Sequence, residues 1–228
     1  MTIGSRQNRW FKRIREAIRD HAGEIVLEGP KPVADAIAAG WKPIKVIERD
    51  VDFSSAIFDA LAETKSPQNV IALFERPRFA LSSLFARASS IVIALDGVQD
   101  PGNVGTIVRL AAAFDANGVV LLPGCADAFG PKAIRSSAGA ILTVPVVNCS
   151  IDELLAQGWD VIAADARGDL ADPPFAKAIL AFGSEGSGLS PALTNVARTI
   201  AIRMSSRIES LNVGASAAIL LARSYQLR

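Results

Sequence analysis

A single histidine, His21, and two cysteines, Cys125 and Cys149, are all that the 228 residues offer of two common metal-ligand types. The cysteines stand far apart, without CxxC spacing, and read as reduced thiols of a cytoplasmic protein. One histidine and two scattered cysteines make no metal cluster, so no metal is expected. A Ser-His-Asp triad would have to use His21, and no nucleophile motif surrounds it. No run approaches the roughly 18 apolar residues that span a bilayer, so no membrane partner is expected. The opening residues carry charge throughout and lack the apolar centre of a secretory signal. There is no internal repeat and no low-complexity tract. With a formal net charge of +1, the whole-chain balance does not announce a nucleic-acid partner.

Hydrophobic residues make up 50% of the chain and its mean hydropathy is +0.30, which points to a large core, a subunit interface, or both. Charge is unevenly placed. Residues 1–20 hold Arg6, Arg9, Lys12, Arg13, Arg15 and Arg19 against only Glu16 and Asp20. Such a run is either a solvated helix face or an RNA-facing patch. Trp10, Phe11, Ile14 and Ile18 recur at helical spacing and predict an amphipathic helix over 5–20. A small α/β unit follows, with strands over 24–27, 43–47 and 69–74 and helices over 32–39 and 56–62. A second unit begins with the apolar strand 91–95. Strands at 119–122, 142–147, 161–164, 179–183 and 199–204 alternate with helices at 104–114, 132–137 and 152–157 and a C-terminal helix towards Tyr225. Ala171-Asp172-Pro173-Pro174 is a turn. Alternation of this kind, with most strands apolar at successive positions, predicts a parallel sheet covered on both faces.

Ligands of open parallel sheets bind beyond the C-terminal strand ends, and three strand ends here carry unusual loops. The first is Leu95-Asp96-Gly97-Val98-Gln99-Asp100-Pro101-Gly102-Asn103, with Asn103 expected as helix N-cap. Arg109, on an otherwise apolar helix, calls for an anion, either a structural ion-pair partner or a ligand. The second loop is Gly183-Ser184-Glu185-Gly186-Ser187-Gly188-Leu189-Ser190. It nearly spells a P-loop, but Leu189 replaces the phosphate-binding lysine and Glu185 would repel phosphate. Its order is Gly-x-x-Gly-x-Gly, not GxGxxG, so a nucleotide triphosphatase and a dinucleotide enzyme are both excluded on motif grounds. The third loop holds Arg207, Glu209, Ser210 and Asn212, where Ser210 and Asn212 both occupy candidate N-cap positions. The helix behind it is apolar or small almost all round and reads as buried on more than one side.

With these loops in this order, residues 89–228 resemble the SpoU (TrmH-like) branch of the SPOUT superfamily, RNA 2′-O-ribose methyltransferases. The motifs that carry the resemblance are Leu95 to Arg109, Gly183 to Ser190 and Glu209-Ser210-Leu211-Asn212-Val213, with Arg135-Ser136-Ser137-Ala138-Gly139-Ala140 between the first two. The front part, from Glu24 to Phe74, is similar to the ribosomal-protein-like RNA-binding domain that often precedes this catalytic domain. One departure is Arg203, where the family usually has a proline before the residue at Met204.

The resemblance implies an α/β fold of SPOUT type, a parallel sheet with a C-terminal deep trefoil knot, preceded by the small RNA-binding domain. It implies an RNA substrate-binding domain at 1–78, a linker at 79–88 and the methyltransferase domain at 89–228. S-Adenosyl-L-methionine is the implied cofactor, rRNA or tRNA the implied substrate, and a homodimer the implied assembly. The implied catalytic residues are Asn103, Arg109, Glu185, Ser210 and Asn212. Leu122, Gly124, Gly183, Ser184, Glu185, Gly186, Ile202, Met204, Ser210, Leu211 and Asn212 are the implied cofactor-binding set. Arg9, Lys12, Arg13 and Arg135 are expected to hold RNA phosphates, which position without specifying sequence. Two other readings stand beside this one, an RNA-binding protein that keeps the fold without catalysis and a base methyltransferase of the same superfamily.

Overall fold

The computed structural model describes residues 2–20, 23–62, 67–87, 91–165, 168 and 177–227. His21 and the turn at 171–174 lie outside the described residues. The chain divides into two compact units, one formed by residues 1–77 with 129–131, the other by 78–128 with 132–228.

The first unit opens with α1 (Arg9–Asp20), which buries Phe11, Ile14 and Ala17 and turns its basic residues outward. Then come β1 (Glu24–Glu28), α2 (Pro30–Ala38), β2 (Pro43–Glu48), α3 (Ser55–Asp59) and β3 (Val70–Glu75). Pro30 sits in the first turn of α2, where a missing N–H costs nothing. The strands form an antiparallel sheet in the order β1-β3-β2. Phe11 and Ile14 of α1 pack with Ile47, Phe53, Phe58, Ile71 and Leu73 into the core of this unit.

The second unit is built on six parallel strands: β4 (Ile91–Asp96), β5 (Gly118–Leu121), β6 (Val146–Asn148), β7 (Asp160–Ala164), β8 (Ala178–Gly183) and β9 (Arg198–Ile200). Their order is β6-β5-β4-β8-β7-β9, with every pairing parallel. All six residues of β4 are buried, as expected of a central strand covered on both faces. On one face Val92, Ala94, Ile179 and Ala181 pack with Leu84, Leu154 and Leu193. Leu154 belongs to α6 (Ile151–Leu155) and Leu193 to α7 (Pro191–Thr194). On the other, α4 (Pro101–Ala113) packs on β5, and α8 (Val213–Gln226) packs on α4 and β8. Each fully buried Ile or Leu of this sheet contributes roughly 1.5–3 kcal/mol relative to exposure.

Two strands are shorter than the apolar pattern predicts. The strand expected over 142–147 begins only at Val146, because Gly139 takes a left-handed conformation and Ala140–Leu142 form a 3-10 turn. The strand expected over 199–204 ends at Ile200, whose carbonyl accepts from the Asp165 amide 3.1 Å away. Beyond it, Ile202 and Met204 line a cavity instead of extending the ladder. Between α4 and α5 (Pro131–Ser137) the backbones nearly touch: a Cβ on Gly105 would lie 2.2 Å from the Ala133 carbonyl oxygen. Only glycine fits there.

Candidate active site

β4 has β5 on one side and β8 on the other, so the strand order reverses at the β4/β8 pair. In open α/β sheets this is where ligands bind. The loops leaving β4 and β8, together with the segment entering α8, meet at that point.

The loop after β4 is shaped by Asp100. Its carboxylate caps α4, accepting from the Gly102 amide at 2.8 Å, and accepts from Lys132 Nζ at 2.6 Å. The Lys132 hydrogen bond, with the Gly102 amide, holds the Asp100 carboxyl below its ordinary pKa. The N-cap of α4 is therefore Asp100 and not Asn103, because Pro101 already occupies the first helical position. Asn103 lies inside the first turn, and its amide points across to the β8 loop.

That loop is closed on itself. The Ser184 and Gly188 backbones exchange hydrogen bonds of 3.1 and 3.0 Å, and Ser184 Oγ lies 2.8 Å from Ser187 Oγ. A Cβ on Gly183 would fall 2.1 Å from the Gly188 carbonyl carbon, so the turn closes only with glycine at 183. The closure presents Glu185 towards Asn103.

Asn212 caps α8, its Oδ1 accepting from the Gly214 and Ala215 amides at 2.9 and 3.3 Å. The free side of the same side chain donates from Nδ2 to Asn103 Oδ1 at 3.2 Å, and Asn103 Nδ2 donates to Glu185 Oε1. The three side chains thus form one directed chain of hydrogen bonds, from the α8 amides to a carboxylate. Ser210 does not cap the helix; it lines the cavity beside this chain.

The cavity has a volume of about 310 Å³, within the usual range for small-molecule sites. Of the residues expected from sequence, Gly183, Ser184, Glu185, Ile202, Met204, Ser210 and Leu211 line it. Leu122, Gly124, Gly186 and Asn212 do not. Leu122 is buried, and its amide is bonded to the Leu95 carbonyl at 2.9 Å. Gly124 packs near Gly97, and Asn212 reaches the site through Asn103. Asp165, Phe182, Ile200 and Val213 also line the cavity and were not among the cofactor-binding residues expected from sequence. Asp165 directly follows β7, and the strand-end rule that led to the other loops could have found it.

Arg109 is exposed on α4 and, among the described residues, makes no hydrogen bond or ion pair. The structural ion pair considered for it is therefore absent among those residues. Arg135 on α5 is likewise exposed. On α1, Arg9 and Arg13 lie over the Trp10 ring at 5.1 and 5.5 Å, and Lys12 is exposed. Arg13 is already engaged, its Nε donating to Glu24 at 3.0 Å. Burial pushes both thiols upward, Cys149 to about 11, and neither cysteine lines the cavity. Among the described residues no group of three or more His, Cys, Asp or Glu is placed to hold a metal ion, and no helix is long and apolar enough to cross a membrane.

The profile of the SpoU rRNA Methylase family matches residues 90–222. The chain belongs to that family. It is 36% identical to the 23S rRNA (guanosine(2553)-2′-O)-methyltransferase RlmP of Bacillus subtilis, over 96% of this chain and 94% of the relative. It is 26% identical to the 23S rRNA (uridine(2479)-2′-O)-methyltransferase of Streptomyces viridochromogenes, over 92% of this chain and 85% of that one. The crystal structure of an AdoMet-bound rRNA methyltransferase from Sinorhizobium meliloti superimposes with a TM-score of 0.90 at 25% identity, covering 100% of this chain and 98% of the other.

Proposed function

We propose that the protein is an S-adenosyl-L-methionine-dependent RNA methyltransferase that methylates a ribose 2′-hydroxyl. The observation that carries this reading is the meeting of Asn103, Glu185 and Asn212, from the first turn of α4, the β8 loop and the cap of α8, at the edge of a ligand-sized cavity. The cavity's chemistry suits the cofactor. Phe182, Ile200, Ile202, Met204, Leu211 and Val213 offer apolar surface for a base, and Asp165 and Glu185 offer acceptors for hydroxyl or ammonium donors. Gly183, Ser184 and Ser210 supply small polar walls. Leu122, Gly124 and Gly186, outside the cavity wall, are assigned supporting places around it on family resemblance.

When bound, the cofactor supplies an electrophilic methyl on sulfur. The protein's part is to place the ribose hydroxyl in line with that methyl and keep water away. Arg109, exposed and unpaired among the described residues, faces RNA: its guanidinium holds a phosphate or the developing alkoxide oxygen. A guanidinium carries five N–H donors and no acceptor, which makes it an orienting group before a base. Asn103 and Asn212 fix the Glu185 carboxylate, and Ser210 offers its hydroxyl at the cavity wall.

The substrate is rRNA or tRNA, with rRNA favoured by the names of the relatives. Residues 1–78 are assigned to a ribosomal-protein-like RNA-binding domain and 89–228 to the methyltransferase domain; 79–88, expected as a linker, also contribute Leu84 to the core of the second unit. Arg9 and Lys12, with Arg135, meet phosphates; Arg13 contributes less because Glu24 already neutralises it. The C-terminal trefoil knot is assigned on family resemblance, and the return of the segment after β9 from the sheet edge to pack α8 on β8 is consistent with it. A homodimer is supported by the exposed apolar side chains Ile219, Tyr225 and Leu227 on and beyond α8. The enzyme acts in the cytoplasm.

The test is transfer of labelled methyl from S-adenosylmethionine to RNA lacking the modification, followed by digestion to nucleosides. Label in a 2′-O-methylnucleoside supports the reading and identifies the RNA class. Label in a base, or none despite supply of every rRNA and tRNA, overturns it.

A further inference from the structure

Asp96 ends β4 at the strand-order reversal and is buried, with 7% of its surface exposed. Among the described residues it is the only buried carboxylate, and a buried carboxylate needs a specific donor. The donor comes from far along the chain: the Ser190 amide reaches Asp96 Oδ2 at 2.6 Å, 94 positions away in sequence. Ser190 is the N-cap of α7 and closes the loop that began at Gly183. The other end of that loop is held by the ladder, where Asp96 pairs with Gly183. Asp96 therefore fixes both ends of the loop carrying Glu185, one through its backbone and one through its side chain. The preceding residue performs a similar service for a second loop. The Leu95 carbonyl accepts from the Leu122 amide at 2.9 Å and from Cys125 Sγ at 3.1 Å.

We infer that Asp96 is a positioning residue of the site: its carboxylate, through the Ser190 amide, sets the loop that places Glu185 and the Gly183–Ser184 wall of the cavity. The inference rests on the proposed cofactor reading for its binding consequence, but not for its structural one. The Ser184–Gly188 pair shapes the loop internally and cannot orient it against β4. The ladder does so at the Gly183 end, and at the far end that task falls to the bond between Asp96 and Ser190. A charged acceptor in a buried setting makes that bond stronger than a neutral pair would be. Asn at 96 keeps an acceptor oxygen and should hold the loop in part; Ala removes it.

The experiment uses the full chain in five variants, four single ones and the double variant Asp96→Ala/Ser190→Pro. Asp96→Ala deletes the acceptor. Ser190→Pro deletes the donor, and the backbone tolerates it because Ser190 has φ −61°, close to proline's fixed value. Asp96→Asn is the conservative rescue, and Ser190→Ala keeps the N–H. Two readouts are taken well below each variant's thermal midpoint: amide hydrogen exchange of residues 184–189, and S-adenosylmethionine Kd by calorimetry. The expected result is exchange at least about tenfold faster at 184–189 in Asp96→Ala and in Ser190→Pro, with β4 and β8 unchanged. The Kd rises by a similar factor, Asp96→Asn recovers most of both, Ser190→Ala stays near the parent, and the double variant is no worse than either single one.

Unchanged exchange at 184–189 in Asp96→Ala overturns the inference, as does additivity of the two deletions. Should Asp96→Ala fail to fold, Ser190→Pro and Asp96→Asn decide the matter by the same readouts. If the parent protein binds no S-adenosylmethionine, the proposed function falls, and the exchange data still decide the role of Asp96.

Discussion

Asn103 Nδ2 donates to Glu185 Oε1 although the two residues stand 82 positions apart. The direction of the bond is fixed at its far end. Asn212 Oδ1 is committed to backbone amides, so Asn212 can only donate to Asn103, and Asn103 must then donate to the carboxylate. Replacing Asn103 by Asp would set two carboxylates side by side and raise one of their pKa values. Asn103→Asp should therefore impair cofactor binding most at neutral pH and recover part of it as the pair takes up a proton on acidification. Calorimetric Kd measured between pH 5 and 8 is the check; a flat profile contradicts the arrangement.

Arg109→Ala should lower kcat by about a hundredfold or more while leaving S-adenosylmethionine Kd within about twofold, since the side chain lies outside the cavity. Arg109→Lys should recover little, because a point charge does not replace a planar fork. Single-turnover kinetics on the responsive RNA separates the two effects. Normal turnover by Arg109→Ala would remove the residue from the mechanism.

RNA affinity should fall steeply with salt, and Arg9→Ala and Lys12→Ala should each flatten the slope of log K against log salt by about one phosphate's worth. Arg13→Ala should flatten it less, because its guanidinium is already shared with Glu24. Filter binding across a salt series, with the three variants in parallel, measures this.

Gly105→Ala should destabilise the protein by about 1–3 kcal/mol or more, since the new methyl would meet backbone at Ala133. Chemical denaturation gives the value. A neutral outcome would mean that α4 and α5 can part without cost.

Cys149, its thiol pushed up to about 11 by burial and by the nearby Glu153, should resist alkylation at pH 8 and react only as pH rises towards that value. Mass spectrometry after timed iodoacetamide treatment tests it.

The sheet of the second unit was legible because its strands are continuous apolar runs, and the site loops because they follow those runs. Two kinds of detail were not. Caps depend on which of several adjacent polar residues the backbone reaches: Asp100 displaces Asn103 because Pro101 fixes the helix start, and Asn212 displaces Ser210. Apolar residues also do not reveal whether they face a core or a ligand. Ile202 and Met204 extend the pattern of β9 yet line the cavity. The bond from Ser190 to Asp96 belongs to tertiary placement, which no spacing of residues records.

The cavity draws its walls from Ala164 through Ser216, and α8 closes against α4 and β8. During synthesis, β4, β5 and β6 emerge long before any of these walls exist. A nascent chain still threaded in the ribosome beyond Ile200 has most of its sheet but no place for a ligand. Competence for binding would therefore arrive abruptly, as α8 docks, and a ligand could stabilise only chains in which α8 is already in place.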